Sequence, residues 1–569
     1  GARACHTWSR LGGNVIMRVF GFVLALGVLA ACQPGGAPQS ETDETQALTV
    51  FTGGTIYTGV ADQPTADAVV VGPDGRIVAI VPPASADWSE DEVTIVDLGG
   101  AVMFPGFTDA HAHLMGIGQR ELTLNLEGTA SVDELVTRTE AEIQGKAPGE
   151  ILFGRGWIET GWPEGRMPSA ADLDAVSPDN PVIYTRADGH ALVANTSALK
   201  AAGIYDLTED PSGGRVERDD SGKATGIVID NAMGPVFQLL AAPTEEDVET
   251  ALEVGANTYA SRGWTGVHNM SVSASQAPIM ARLDGEGRLP LRVYNAFDVD
   301  AFEVAESRKF ETDTVTNRAV KLYMDGALGS RGALLIAPYS DQPDTNGLSL
   351  LDTESLHDLM MKAKGADVQL AIHAIGDLAN RHILETFEAL GNGDELRWRI
   401  EHAQIFAPQD VARVGELGLI ASMQPSHAIG DLKFAPSRLG LDRLAGAYAW
   451  QDMLAGGAVV AGGSDAPVEV GSPLIEFYAA VARQDLDGNA GEGWHPEQAL
   501  SRDQALALLT SAAAFAAFQE DDLGTIEVGK IADFSVFDRD LMTIPAAEIL
   551  DAQARMTIIG GEIIWQAAE

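Results

Sequence analysis

The chain has 569 residues, too many for one small domain, and combines 46% hydrophobic with 21% charged residues, the balance of a folded globular protein. With 82 acidic against 37 basic residues, its formal net charge of -45 repels phosphate backbones and anionic lipid, and excludes nucleic acid as a partner. The acidity reads as a solvated surface on an exported or salt-exposed protein, with attraction of a cationic substrate as the alternative. Both cysteines, Cys5 and Cys32, precede the first globular segment, so the body of the protein has no disulfide framework or cysteine metal site to draw on.

Residues 1–16 carry no targeting logic and read as an upstream extension. Residues 17–32, MRVFGFVLALGVLAAC, have a start methionine, one arginine, an apolar run too short to span a bilayer comfortably, and small residues before a cysteine. Their end, LAAC, resembles the lipobox of bacterial lipoproteins. That implies lipidation at Cys32, and Gln33 after it implies an anchor in the outer membrane facing the periplasm. An ordinary signal peptide with a chance cysteine is the alternative. Residues 33–47, rich in Gly, Pro, Ser and Thr, read as a flexible tether.

Residues 48–103 are a succession of short β-type runs with turn signals, and their counterpart is at the far end, in GTIEVGKIADFSVFDRD and MTIIGGEIIWQ. The two ends, 48–103 and 523–569, are expected to fold together as one small β-sandwich domain. Between them, over 104–522, apolar strand candidates alternate with helical stretches, the signature of parallel βα units. The candidates are 101–108, 264–270, 291–297, 319–325, 368–373, 398–404, 419–424 and 458–465, a series that suits an α/β (β/α)8 TIM-like barrel. The gap from about 116 to 263 is far longer than a βα connection and has strands of its own, ILFGRGW and PVIYTRADGHALVANTSAL. It reads as a large insertion after the first strand that covers the active face.

Chemistry-bearing residues cluster at the ends of these strands. In FPGFTDAHAHL, His111 and His113 are two apart, so in extended chain both imidazoles face one way and can reach one metal ion; two ordinary buried histidines would give the same pattern. His373 in AIHAIGD, His402 in RIEHAQ and Asp465 in GGSDAPV end later strands, and barrel strands converge at their C-terminal ends. Lys321 in RAVKLYMDGALGSRG is a cation on a strand expected to be buried on both faces. Asp325, on the same face, is the candidate partner of an unmodified lysine.

Taken together, PGFTDAHAHL, GWTGVHNM, VKLYMDGALGSR, LAIHAIGD, RIEHAQ, ASMQPSH, GGSDAPV and GTIEVGKIADFSVFD resemble, in order, the amidohydrolase superfamily and within it the YtcJ-like amidohydrolase-3 family that includes N-substituted formamide deformylase. The resemblance implies a metal-dependent hydrolase acting on a small-molecule amide or N-acyl compound through metal-activated water. One or two divalent metal ions are implied, with His111 and His113 on one and His373 and His402 on a second. Zinc suits the nitrogen and oxygen ligands, and manganese or iron fit the same set. Asp465 touches the metal side and handles the proton of the attacking water, and Lys321 stands where many relatives carry a carboxylated lysine bridging two ions. Homodimers are frequent among relatives.

His190, Trp157, Arg331 and His427 are candidate substrate contacts, with Trp162 and His268 nearby. Cleavage of a cyclic amide, carbamate or ester on the same site is the alternative chemistry, and a nonenzymatic solute- or metal-binding lipoprotein is the alternative of another class.

Overall fold

Eight parallel strands, Phe107–Ala112, Trp264–Val272, Arg292–Phe297, Val315–Tyr323, Gln369–Ala374, Arg399–His402, Ile420–Met423 and Val459–Gly462, pair each with the next in chain order. They come from a computed structural model that describes residues 48–81, 93–391, 394–491 and 494–568. The signal-peptide segment, the tether and Cys32 lie outside the described residues. Helices such as Gln276–Gly285 and Asp377–Ala389 follow the strands and bury apolar faces against them, giving an α/β TIM-like barrel. Strands covered on both sides read as continuous apolar runs, which is why these segments stand out in sequence.

Among the described residues the first and eighth strands share no ladder, and side chains close the seam. Asp109 accepts hydrogen bonds from the Ser464 amide (2.9 Å), the Ser464 hydroxyl (2.6 Å) and the Tyr259 hydroxyl (2.9 Å). The Asp465 amide donates to the His111 carbonyl at 2.6 Å, so the loop after the eighth strand is tied directly to the end of the first.

The first strand candidate, 101–108, needs correction. Val102–Pro105 pairs with Phe534–Phe537 and Leu48–Tyr57 in another sheet, and the barrel strand begins only at Phe107. The change of sheet falls at Gly106, whose amide donates to the Asp533 carbonyl; a Cβ there would stand 2.3 Å from Thr265 Oγ1, so only glycine lets the chain cross. This second sheet draws strands from both ends of the chain, in the order Glu562–Gln566, Ala554–Ile559, Phe534–Phe537, Val102–Pro105, Leu48–Tyr57, Thr65–Val71, Ile77–Val81, with Val93–Asp97 also on Leu48–Tyr57. Phe51, Ile56, Met103, Phe534 and Ile558 pack as its core.

A third sheet, six-stranded, lies between the first and second barrel strands and spans residues 124–230. Helix Leu114–Leu122 leads into it, and helix Glu245–Arg262 leads back, opened by a capping box at Thr244 and Asp247 and closed at the left-handed Gly263. These two helices touch through glycines: a Cβ on Gly118 would meet the Ala251 carbonyl oxygen at 1.8 Å. No helix among the described residues is long and apolar enough to cross a membrane.

Candidate active site

At the C-terminal ends of the barrel strands His111, His113, His402, His427 and Asp465 converge. Single nitrogen and oxygen atoms of His111, His113 and Asp465 lie within 4.8 Å of one another, and so do those of His402, His427 and Asp465. Asp465 belongs to both sets. Its Oδ1 stands 3.1 Å from His113 Nε2 and 3.4 Å from His111 Nε2, and its Oδ2 stands 3.7 Å from His427 Nε2. His373 packs its ring 4.5 Å from that of His402, with Nε2 3.5 Å from Asp325.

Three of the imidazoles are held by their other nitrogen. His111 Nδ1 is 2.5 Å from Glu401 Oε2, His113 Nδ1 is 3.1 Å from the Met270 carbonyl, and His402 Nδ1 is 2.8 Å from Gln424 Oε1. Those partners accept, so each Nδ1 carries the proton and each Nε2 keeps a lone pair. Burial, reinforced by the Lys321 charge, takes the His111 pKa down to about 4, and burial takes His373 and His402 well below the ordinary histidine range. These are neutral imidazoles, the form a metal takes.

The backbone is bent to make the cluster. Strand alternation would send Glu401 and His402 to opposite faces, but His402 has φ 71° and ends the alternation, so both side chains serve the site. Asp465 likewise has φ 60°.

Beneath the histidines lies a buried ion pair. Arg399 Nε donates to Glu401 Oε1 at 2.7 Å, and the same guanidinium reaches His268 Nδ1, the Ala110 carbonyl and Ser422. Although burial opposes it, the Arg399 charge, with the hydrogen bond from His111, holds the Glu401 carboxyl well below the usual carboxylate range. His268 therefore supports the floor of the site and is not among the chamber's lining residues.

Lys321 is 2% exposed, and its Nζ lies 3.3 Å from His111 Nε2. Among the described residues no carboxylate pairs with it, and burial lowers its pKa to about 8. Asp325 is not its partner: the strand ends at Tyr323, and Asp325 turns to accept the amides of Leu334 (2.8 Å), Ile375 (3.0 Å) and Gly376 (2.8 Å).

A chamber of 580 Å³ opens above the cluster, walled by barrel loops and by the third sheet. Of the expected substrate contacts, His190 and His427 line it. Trp157 does not: fully buried, it donates to the Tyr184 carbonyl and packs on Trp162 inside the third sheet. Arg331 is also drawn away, paired with Asp341 at 2.9 Å. His190 Nδ1 is 2.7 Å from Asp230 Oδ1, and its ring lies 5.5 Å from that of His373. Glu401, Gln424, Asp230 and Arg399 escape a reading of the sequence. Glu401 and Arg399 share the motif RIEHAQ with His402, and Gln424 lies in ASMQPSH, whereas Asp230 had no signal.

The donor set fits a divalent cation. His113 Nε2 and Asp465 Oδ1 are two lone-pair atoms 3.1 Å apart, and Asp465 Oδ1, His427 Nε2 and His373 Nε2 are buried without hydrogen-bond partners among the described residues. Donor atoms converging so closely suit a cation held among them.

A parallel barrel with such a nitrogen and carboxylate cluster at its C-terminal face defines a metal-dependent hydrolase. Comparison with known proteins agrees. The sequence model described as the amidohydrolase family matches residues 94–565, and the chain belongs to that family. It is 32% identical to the YtcJ protein of Bacillus subtilis (strain 168), over 91% of this chain and 99% of that protein. It is 29% identical to N-substituted formamide deformylase of Arthrobacter pascens, over 84% and 90%. The crystal structure of a metal-dependent hydrolase from Pyrococcus horikoshii OT3 superposes with a TM-score of 0.70 at 29% identity, covering 88% of this chain and 99% of that one.

Proposed function

We propose that the protein hydrolyses a carbon–nitrogen bond of a non-peptide amide or N-acyl compound. The observation that carries this reading is Asp465 Oδ1, buried, without a hydrogen bond, and facing the lone pairs of His111 and His113. His111, His113, His373, His402, His427 and Asp465 are the residues that would hold one or two divalent ions, with zinc the best match to their chemistry. When bound, such an ion supplies Lewis acidity that brings the pKa of water to about 7.

This chain's residues do the rest. Asp465 accepts the proton of the attacking water and returns it to the departing nitrogen, the step that separates an amide from an ester, whose leaving oxygen needs less help. Although burial opposes it, Asp230 at Nδ1 raises the His190 pKa, and the doubly protonated ring donates from Nε2 to the carbonyl oxygen as charge gathers there. We further infer that Lys321 is carboxylated: its buried amine, without a carboxylate partner and 3.3 Å from His111, would in neutral form add carbon dioxide and release a proton to give a carbamate, an anionic oxygen donor of the kind a divalent site takes up. The name of the formamide deformylase relative supports the amide reading. Anchoring at the outer membrane through Cys32, with the tether carrying the body into the periplasm, is proposed on the LAAC pattern alone.

The test is turnover of matched N-acyl amides, cyclic amides, carbamates and esters by metal-loaded protein, before and after chelation. Amide cleavage that a chelator abolishes and zinc restores is expected. Cleavage confined to esters, or indifferent to the chelator, would overturn the reading.

A further inference from the structure

Most charged side chains around the chamber have partners within the chain. Arg186 pairs with Glu159 at 2.9 Å and with Asp188, and Glu127 stands 3.7 Å from Arg120. His427 lies between Asp465 and Glu469. Besides Lys321 beside His111 and the exposed Lys433, the wall holds one more cation without a carboxylate partner among the described residues, Arg155, on strand Leu152–Trp157 of the third sheet. Its Nη2 donates to the Ala187 carbonyl at 3.3 Å, its Nε is buried without an acceptor, its Nη1 is uncommitted, and no carboxylate among the described residues pairs with it. Burial, with the nearby Arg120 charge, draws its pKa down to about 10, the mark of a cation short of compensation.

Arg155 is half-buried, with its Nε fully buried and without an acceptor; a guanidinium so placed without a counter-ion is costly, and the cost is recovered when an anion docks on it. The acids whose charges reach it do not pair with it: Asp465 faces the histidines, Asp188 is bonded to Arg186, and Glu127 leans to Arg120. Arg155 shares one chamber with Asp465, His113 and His402, and the wall between them includes the apolar Ile158, Leu328 and Phe434. The matching ligand has an amide at one point, an apolar body, and a planar anion that a guanidinium can grip with two parallel hydrogen bonds.

We propose that Arg155 anchors a carboxylate of the substrate, so that the amide cleaved at Asp465 belongs to a molecule of the N-acyl amino acid class; the assignment rests on the amide-hydrolase function proposed for the same site. The net charge of -45 does not oppose it, because exposed charges are screened beyond about 8 Å at physiological salt, whereas a partly buried pair is screened much less. It does replace the expectation of a cationic substrate: the carboxylates of the wall are committed and the guanidinium is free.

Binding separates this proposal from its parent. The probe is the ketomethylene analogue of N-hexanoylglycine, which cannot be hydrolysed, compared by calorimetry with the same ketone capped as a carboxamide, both on the metal-loaded protein. The wild type should bind the acid roughly 10- to 100-fold tighter than the carboxamide. Arg155→Gln should bind the two alike with carboxamide affinity intact, and Arg155→Lys should keep part of the preference. Equal affinity in the wild type, binding of neither, or a preference that survives Arg155→Gln would overturn the proposal. The wild-type comparison stands even if a variant fails to fold. Turnover of N-hexanoylglycine and N-hexanoylglycinamide reads the parent proposal on its own: acid-selective binding without cleavage would remove the hydrolase reading and leave the Arg155 anchor standing.

Discussion

His111 makes three different demands on its neighbours at once. Glu401 holds its Nδ1, Asp465 and Lys321 share the space at its Nε2, and Arg399 keeps Glu401 ionised in a fully buried position. Removing the Glu401 charge therefore reaches the site without touching a ligand. In Glu401→Gln the ring loses its anionic partner and Arg399 is left buried and unpaired. Metal affinity is expected to fall roughly 10- to 100-fold. Stability should drop by about 3 kcal/mol through the broken buried pair. Metal titration and urea denaturation read the two effects separately. Unchanged affinity in a folded variant would show that Glu401 does not orient His111.

At the scale of elements, the barrel and the sheet drawn from the chain ends are joined by side chains as well as by the crossing at Gly106. Arg292, at the start of the third barrel strand, grips Asp533 with two hydrogen bonds of 2.5 and 3.1 Å, both side chains being largely buried. Asp533 also accepts the Gly560 amide of the hairpin between Ala554–Ile559 and Glu562–Gln566. Asp533→Ala strands Arg292 without a counter-ion and is expected to cost about 3 to 5 kcal/mol of stability. Chemical denaturation would measure it. Because the pair is remote from Asp465 in sequence and sheet, kcat of the folded fraction should hold. A loss of turnover without a loss of stability would contradict a purely structural role for the pair.

Over the whole molecule, some of this architecture is legible in one sequence and some is not, for physical reasons. Strands buried on both faces are continuous apolar runs, so all eight barrel strands stand out. At the first of them the same apolar run, VMFPGF, passes between two sheets with no change of character, so the boundary at Gly106 is invisible. His111, His113, His402 and Asp465 are readable because histidines and a carboxylate recur at the ends of strands that a barrel brings together. Their supports are not: Glu401 is 290 residues from His111, and Asp230 is 40 from His190, distances over which only the fold makes neighbours. Trp157 shows the converse, an aromatic residue in a suggestive motif that simply packs. Arg155 has no sequence signature at all, since an unpaired cation is recognised only once every possible partner has been located.

The central claim is that Asp465 moves the proton in a metal-dependent cleavage of an amide. It is tested most directly by measuring bound metal and turnover of an N-acyl amide side by side for the wild type and Asp465→Asn. The wild type is expected to hold one or two equivalents of divalent metal and to turn over. The variant, compared at matched metal content, should lose roughly 100- to 10,000-fold in kcat. Turnover in Asp465→Asn equal to that of the wild type, or a metal-free wild type that cleaves as fast as the loaded one, would contradict the account.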